Sequence, residues 1–340
     1  MLYLLLRWVI VVRVITDGLE FRYDRRVSAD FLRLFTGQGA FRTLTEYARK
    51  ARYPIDLQFR GSPKSSDQHA SLYVGLTTVL DVHWRPGQVR LAAHPKYRDF
   101  GFDPHWMSWT PAGLAADWSD AVDRYLDAII PYVSTGRATV EGSVQAAVSS
   151  FSSNKRAMLD REVMLHFRDT ATRNRIMDQV SADLLHCLGT APVPGTRPRS
   201  FGGKCDLLAL DSSGSLLAVE VKPRGVSTIV WAPAQAIVYA RLLRLWTRQD
   251  PQASEVIAGM ISQRKKLGLL TGRIPRPSAQ PAVLPVVAVQ RGMSGKHREG
   301  MLAVRDHLTR EGIGEAARLQ MFEVTLAGRL LDASGPAATS

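Results

Sequence analysis

The stretch LLAVEVKP, residues 216–223, places a glutamate and a lysine inside an apolar run. A β-strand points alternate side chains to opposite faces, so Glu220 and Lys222 share one face. Burying two charges is costly unless they are paired or bind a ligand. The run is therefore either an edge strand with a solvated face or a strand whose two charges belong to a site.

A second acid faces this pair across a predicted hairpin. With Ser212–Gly214 as a three-residue loop, Gly214 takes a left-handed conformation and Asp211 pairs with Ser215. In that register Asp206 lies opposite Glu220, with the two Cβ atoms about 4.5–5.5 Å apart. Two carboxylates this close repel each other unless a cation lies between them. The pair predicts a Mg²⁺ site, in which Mn²⁺ can substitute.

Two oxygen ligands and a lysine on one face suit the hydrolysis of a phosphodiester bond. A bound metal polarises the phosphate and lowers the pKa of a water, while Lys222 steadies the nucleophile or the developing negative charge. With 31 acids in 340 residues and few lysines, an acid-x-lysine triplet is expected about once by chance, and one occurs. The weight of the motif therefore comes from its context, a hairpin with a facing acid and a helix directly after it.

In this context the segment resembles the PD-(D/E)XK nuclease superfamily, whose restriction-endonuclease-like core is α-β-β-β-α-β. KCDLLAL supplies Asp206 and AVEVK supplies Glu220 and Lys222, although the proline of the motif is absent because Cys205 precedes Asp206. PAQAIVYARLL carries Gln235 and Tyr239 four residues apart on a helix, which looks like the Q-x-x-x-Y motif of the RecB-like branch. The resemblance covers residues 157–326 and implies a Mg²⁺-dependent nuclease of restriction or phage defence, with Gln235 and Tyr239 helping to position the substrate.

The resemblance also implies an acid or a histidine on the first core helix. Glu162 and His166 are four residues apart in DREVMLHF, and we expect Glu162 to be the third carboxylate ligand, with His166 as the alternative. A solvated Glu162 and a packed His166 are the structural alternative. If the helix register differs, the candidates are Asp178, Asp183 and His186.

The charge distribution favours a nucleic-acid partner, with DNA preferred to RNA. The net charge of +13 is uneven: residues 1–150 hold 18 basic and 15 acidic residues, and residues 151–340 hold 26 and 16. The second half is therefore at +10, the footprint expected on a phosphate backbone. The residues predicted to contact phosphate, each of which could equally be solvated surface charge, are Lys204, Arg224, Arg197 and Arg199.

The elements predict an α/β chain with a separate N-terminal α+β domain, residues 1–150, and a nuclease domain, residues 155–330. The first domain has strands within 1–27, a helix over 29–51 broken near Gly37–Gly39, two strands within 71–95 joined at Arg85–Gln88, and a helix over 111–133. The second has helices over 155–189, 233–247 and 297–311, strands over 204–210, 215–222, 283–289 and 319–326, and a loop over 249–281.

Two other functional classes compete with a nuclease. A catalytically silent module of the same fold would bind nucleic acid or scaffold a complex, and the complete Asp206, Glu220 and Lys222 set argues against it. A membrane-peripheral protein would use the apolar opening MLYLLLRWVIVVRVI, but Arg7 and Arg13 interrupt that run. Two cysteines are too few for a disulfide framework, so we expect a cytoplasmic protein with no membrane role. The N-terminal domain would recognise the target or bind a protein partner.

Overall fold

The chain forms a four-stranded sheet followed by a larger six-stranded sheet. The computed structural model describes residues 20–50, 55–103, 106, 118–136, 140–150, 156–271, 274 and 276–333. Within these residues the architecture is mixed α/β. The elements of the first half are β1 (Phe21–Arg22), α1 (Ala29–Arg33), α2 (Arg42–Lys50), β2 (Ile55–Arg60), β3 (Gln68–Val74), β4 (Thr77–Arg85), β5 (Gln88–Ala92) and α3 (Trp118–Gly136).

Strands β2 to β5 make an antiparallel meander in chain order. The predicted turn at Arg85–Gln88 is confirmed, because these two residues pair and Gly87 has φ +77°. The predicted break between 29 and 51 is also present, since α1 and α2 are separate helices. Residues 68–92 form three strands, whereas two were predicted. The additional tight turn lies at Gly75, which has φ +60°.

The strands predicted within residues 1–27 lie mostly outside the described residues. In the described part of that segment, Phe21 and Arg22 form strand β1. None of the described helices combines the length and the apolar content that crossing a bilayer requires. The helix predicted over 111–133 is described from Trp118 onward and ends at Gly136.

The second half builds the six-stranded sheet. Its elements are α4 (Val140–Ser150), β6 (Arg156–Met164), β7 (His166–Phe167), α5 (Thr170–Leu188), β8 (Lys204–Asp211), β9 (Leu216–Lys222), α6 (Ala232–Gln249), α7 (Ala253–Lys266), β10 (Val283–Gln290), α8 (Gly295–Arg310), β11 (Gln320–Val324) and β12 (Leu330–Asp332). The strand order is β12-β11-β10-β9-β8-β6, in which β9, β10 and β11 are parallel and the other neighbours antiparallel.

Two predictions in this half are wrong. The helix predicted over 155–189 is strand β6 followed by α5, which begins after Asp169, whose side chain accepts a hydrogen bond from the Thr172 amide. Strand β6 is buried on both faces and pairs with β8, so tertiary pairing overrides its helical pattern. The loop predicted over 249–281 contains helix α7, which buries Val256, Ile257 and Met260.

Each sheet has apolar packing of its own. Helices α1, α2 and α3 cover one face of the four-stranded sheet, where Phe31 and Tyr125 meet Leu57 and Leu72. Helices α5, α6 and α8 cover one face of the six-stranded sheet. Helix α4 covers the opposite face of that sheet through Val144 and Val148. The central strands β8 and β9 are therefore enclosed from both sides, which accounts for their apolar sequences.

The two sheets meet through buried polar contacts. Asp160 on β6, 2% exposed, accepts hydrogen bonds from Tyr23 Oη at 2.7 Å, Arg25 Nε at 3.0 Å and Arg60 Nη1 at 2.6 Å. Ser149 on α4 donates to Asp56 on β2 at 2.6 Å. Helix α4, which ends at the predicted domain boundary, therefore contacts both sheets.

Candidate active site

The β8–β9 hairpin has the predicted register. Asp211 N donates to Ser215 O at 2.9 Å, and Leu207 pairs with Val219, so that Asp206 and Glu220 follow as the next facing positions. Gly214 has φ +82°, and a Cβ there would lie 2.5 Å from the carbonyl oxygen of Arg276. This turn therefore requires glycine both for its conformation and for its close approach to the covering loop.

Glu220 is a buried acid in the middle of the sheet. It lies on β9, between β8 and β10, and is 1% exposed. Its Oε1 is 2.5 Å from Lys222 Nζ, and its buried Oε2 accepts no hydrogen bond from a donor among the described residues. Burial, and then the neighbouring Asp206, raise the pKa of Glu220 well above its ordinary value, against the opposing effect of Lys222. A side-chain hydrogen bond with Asp206 also raises the pKa of Glu220 and lowers that of Asp206.

Asp206 shares this environment. Its Oδ2 accepts a hydrogen bond from Val221 N at 2.7 Å, which fixes the carboxyl against the facing strand. Burial raises the pKa of Asp206 to about 6, although the Val221 amide and Lys222 act in the opposite direction. Both carboxyl groups are therefore held where their negative charge is poorly compensated.

This pair of carboxyl groups fits a small divalent cation. Mg²⁺ binds through one or two carboxylates and keeps several waters. The buried Oε2 of Glu220 and the desolvated Asp206 carboxyl supply hard oxygen ligands whose charge a cation would compensate. Asp206 and Glu220 are the residues that would hold the metal.

Lys222 remains a cation beside the two acids. Its side chain is 13% exposed. Burial alone would lower the pKa of Lys222, but the ion pair with Glu220 more than offsets this effect and raises it. The ammonium group is thus available as a fixed positive charge at the exposed end of the pair.

The helix after β9 brings Gln235 and Tyr239 to the same side. Gln235 Nε2 donates to Tyr239 Oη at 2.8 Å. Burial, followed by the charge of Glu220, raises the pKa of the Tyr239 hydroxyl, so it stays neutral. The structure therefore brings Tyr239 close to Glu220 and Asp206, next to Lys222, with Gln235 bonded to the Tyr239 hydroxyl.

Glu162 and His166 are placed differently from the prediction. Both lie on strands, not on a first core helix. Glu162 forms an ion pair with Lys204 and accepts a hydrogen bond from Gln145 Nε2 at 3.0 Å. Although burial raises the pKa of Glu162, these contacts lower it overall. His166 pairs with Arg22 of β1 and is exposed.

The remaining acid and histidine candidates lie on α5. Asp183 makes an ion pair with Arg241, at 2.7 Å and 2.9 Å. Asp178 and His186 are exposed. Within the described ranges, no three His, Cys, Asp or Glu side chains form a group that could hold a metal ion.

The four predicted phosphate contacts divide into two pairs. Lys204 is engaged by Glu162, and Arg197 donates to the Leu188 carbonyl at 2.8 Å and so closes the end of α5. All four residues are exposed, but among the described residues the side chains of Arg199 and Arg224 form no hydrogen bond or ion pair. The second pair is the better placed to meet a ligand from solution.

Sequence reasoning missed two residues of α4. Gln145, 1% exposed, donates through Nε2 to the carbonyl oxygen of Asp206 at 2.9 Å. Glu141 lies in the first turn, and its charge raises the pKa values of Asp206 and Lys222. Val144 and Val148, four residues apart, are the helical signal in this segment. Its many small and polar residues otherwise indicate a domain boundary.

Comparison of the chain with protein-family models, with curated proteins and with solved structures found no match.

Proposed function

We propose that this protein is a metal-dependent nuclease that hydrolyses phosphodiester bonds, with DNA as the preferred substrate. The observation that carries the proposal is the Asp206–Glu220 pair, two buried acids that hydrogen-bond each other, of which Glu220 Oε2 accepts no hydrogen bond from a described donor. Lys222 lies on the same face, 2.5 Å from Glu220 Oε1. A pair of buried acids with an adjacent cation is costly for stability alone, so a ligand that compensates it is the economical explanation.

The order of elements supports the resemblance to the PD-(D/E)XK nucleases. Helix α4, strands β6, β8 and β9, helix α6 and strand β10 follow the order α-β-β-β-α-β, with β7, α5 and α7 as additions. The resemblance expects an acid on the first helix, and Glu141 lies in the first turn of α4. We therefore propose that Glu141, in place of Glu162, is the acid that the resemblance expects on this helix, and that it acts on Asp206 and Lys222 through its charge, not as a third metal ligand.

The chemistry divides between the metal and the chain. A bound Mg²⁺ would polarise the phosphate and lower the pKa of a water, which would then lose a proton more easily and attack the phosphorus. Lys222, which stays protonated, would stabilise negative charge that develops on the phosphate oxygens. The neutral Tyr239 and Gln235, joined at 2.8 Å, would orient the substrate against the hairpin.

The charge of the second half supports a nucleic acid as the substrate. Residues 151–340 carry 26 basic and 16 acidic residues, a balance of +10. Arg199 and Arg224 remain exposed, while several other arginines are taken up by internal ion pairs. A positive surface of this kind attracts the phosphate backbone independently of sequence.

The test is cleavage of circular and linear DNA by the purified chain, with Mg²⁺ or Mn²⁺ and with a chelator. Asp206→Asn should abolish metal-dependent cleavage. Asp211→Asn, at the turn of the same hairpin and outside the site, is the matched control and should cleave as the wild type does. Product lengths on the two substrates would separate internal cleavage from cleavage at ends. DNA binding without metal-dependent cleavage would instead support the catalytically silent module.

A further inference from the structure

Strand pairing is interrupted beside Asp206. Strands β6 and β8 pair through Arg161 with Leu207 and through Val163 with Cys205, and the intervening Glu162 is skipped. Glu162 has φ +54°, the left-handed region that a residue with a side chain rarely occupies. Positive φ at such a residue persists only where the surroundings hold it, and often marks a functional position.

Gln145 takes the place of the missing strand contact. Its Nε2 donates to Asp206 O at 2.9 Å and to Glu162 Oε1 at 3.0 Å. One side-chain amide thus holds the backbone of Asp206 and the side chain of the residue across from it. Gln145 is buried, so these bonds are made away from competing water.

Arg161 fixes the orientation of the Gln145 amide. Its Nη2 donates to Gln145 Oε1 at 3.2 Å, which leaves the NH₂ group facing Asp206. Arg161 is 0% exposed, its guanidinium lies 4.6 Å from the centroid of the Tyr73 ring, and its carbonyl accepts from Arg60 Nη2 at 2.9 Å. Tyr73 and Arg60 belong to the four-stranded sheet, so the orientation of the amide depends on that sheet.

We infer that Gln145 is a positioning residue for Asp206 and that it links the four-stranded sheet to the proposed metal site. The inference rests on the proposed function. A hydrogen bond to the peptide carbonyl of a ligand residue limits the movement of its carboxyl group, and partners of this kind commonly contribute about 10–100-fold to metal affinity. The metal site should therefore weaken when the amide is removed, even though Gln145 touches no metal ligand oxygen.

The experiment compares Gln145→Met with Ser149→Ala. Methionine has nearly the shape of glutamine but cannot donate to Asp206 O. Ser149 lies one turn further along the same face of α4, is buried and bonds Asp56 in the same interface, but it does not touch Asp206. Mn²⁺ binding is measured directly, by calorimetry or by electron paramagnetic resonance, next to thermal unfolding of each variant without metal.

Gln145→Met should weaken Mn²⁺ binding by about tenfold or more, and Ser149→Ala by less than about twofold. Gln145→Asn, which keeps an amide one methylene too short, should act in the same direction and replaces the methionine variant if that fails to fold. Equal Mn²⁺ affinity in Gln145→Met and the wild type would overturn the inference. If the wild type itself binds no Mn²⁺ and cleaves no DNA, the proposed function fails, and with it the inference.

Discussion

Lys222 Nζ lies 2.5 Å from Glu220 Oε1, two positions along one face of strand β9. Among the described residues, Glu220 is the acid with which Lys222 forms an ion pair. Even so, the pKa of Glu220 remains raised, because burial outweighs the attraction of the ammonium group. The ion pair therefore leaves Glu220 only partly compensated, and it keeps a positive charge within reach of any group that approaches Asp206.

We expect Lys222→Ala to lose cleavage activity by about 10²–10³-fold while fold and DNA binding persist. The fold should survive because Glu220, whose pKa is already raised, can take up a proton when its partner is removed. Excess Mn²⁺ should not restore activity, since the missing group is no ligand. Lys266→Ala, an exposed lysine on α7, is the control. Near wild-type cleavage by Lys222→Ala would show that Lys222 has no catalytic role and is only a charged residue on the surface of the strand.

The pH dependence of stability should report the buried Asp206. Its pKa is raised from 3.8 to about 6, so between these values the folded chain holds a proton that the unfolded chain releases. Metal-free stability therefore falls as pH rises through this window. Asp206→Asn lacks that proton, and its melting temperature relative to wild type should increase between pH 4 and about 7. Thermal unfolding in a chelator checks this, and a difference that stays constant with pH would contradict it.

Mutation of Asp160 should cost far more stability than mutation of an exposed acid. Asp160→Ala leaves Arg25 and Arg60 buried without their partner, which typically costs about 3–5 kcal/mol. Asp169→Ala removes the exposed cap of α5 and should cost about 1 kcal/mol. Denaturant unfolding of both variants measures the difference. Equal losses would mean that the contacts between the sheets contribute little.

DNA binding should weaken steeply with salt. Each neutralised phosphate contributes about −0.9 to the slope of log K against log salt concentration on duplex DNA. Arg224→Ala should reduce the magnitude of that slope by about 1 and weaken binding to all sequences alike. Lys266→Ala should leave it unchanged. A wild-type slope near zero would show that the basic surface of the second half does not contact the backbone.

The hairpin was open to prediction because its signals are local. The turn residues set the register, strand alternation places Glu220 with Lys222, and helical spacing brings Gln235 to Tyr239. Strand β6 was not open to prediction, since RAMLDREVM has a helical pattern and becomes a strand only by pairing with β8. Glu162 was misplaced for the same reason. Gln145 shows no recognisable pattern of its own, because its role depends on a break in a sheet that the sequence does not reveal.

The buried contacts between the sheets limit how freely one sheet could be replaced without the other. Arg60 of the four-stranded sheet bonds the Asp160 carboxylate and the Arg161 carbonyl of β6, and all three residues are buried. Replacement of the four-stranded sheet alone would leave these buried charges without their partners, and each unpaired charge would lower the stability of the fold. The residues of this junction should therefore change only in matched pairs, whereas the outer strands and loops of the first sheet can vary one residue at a time.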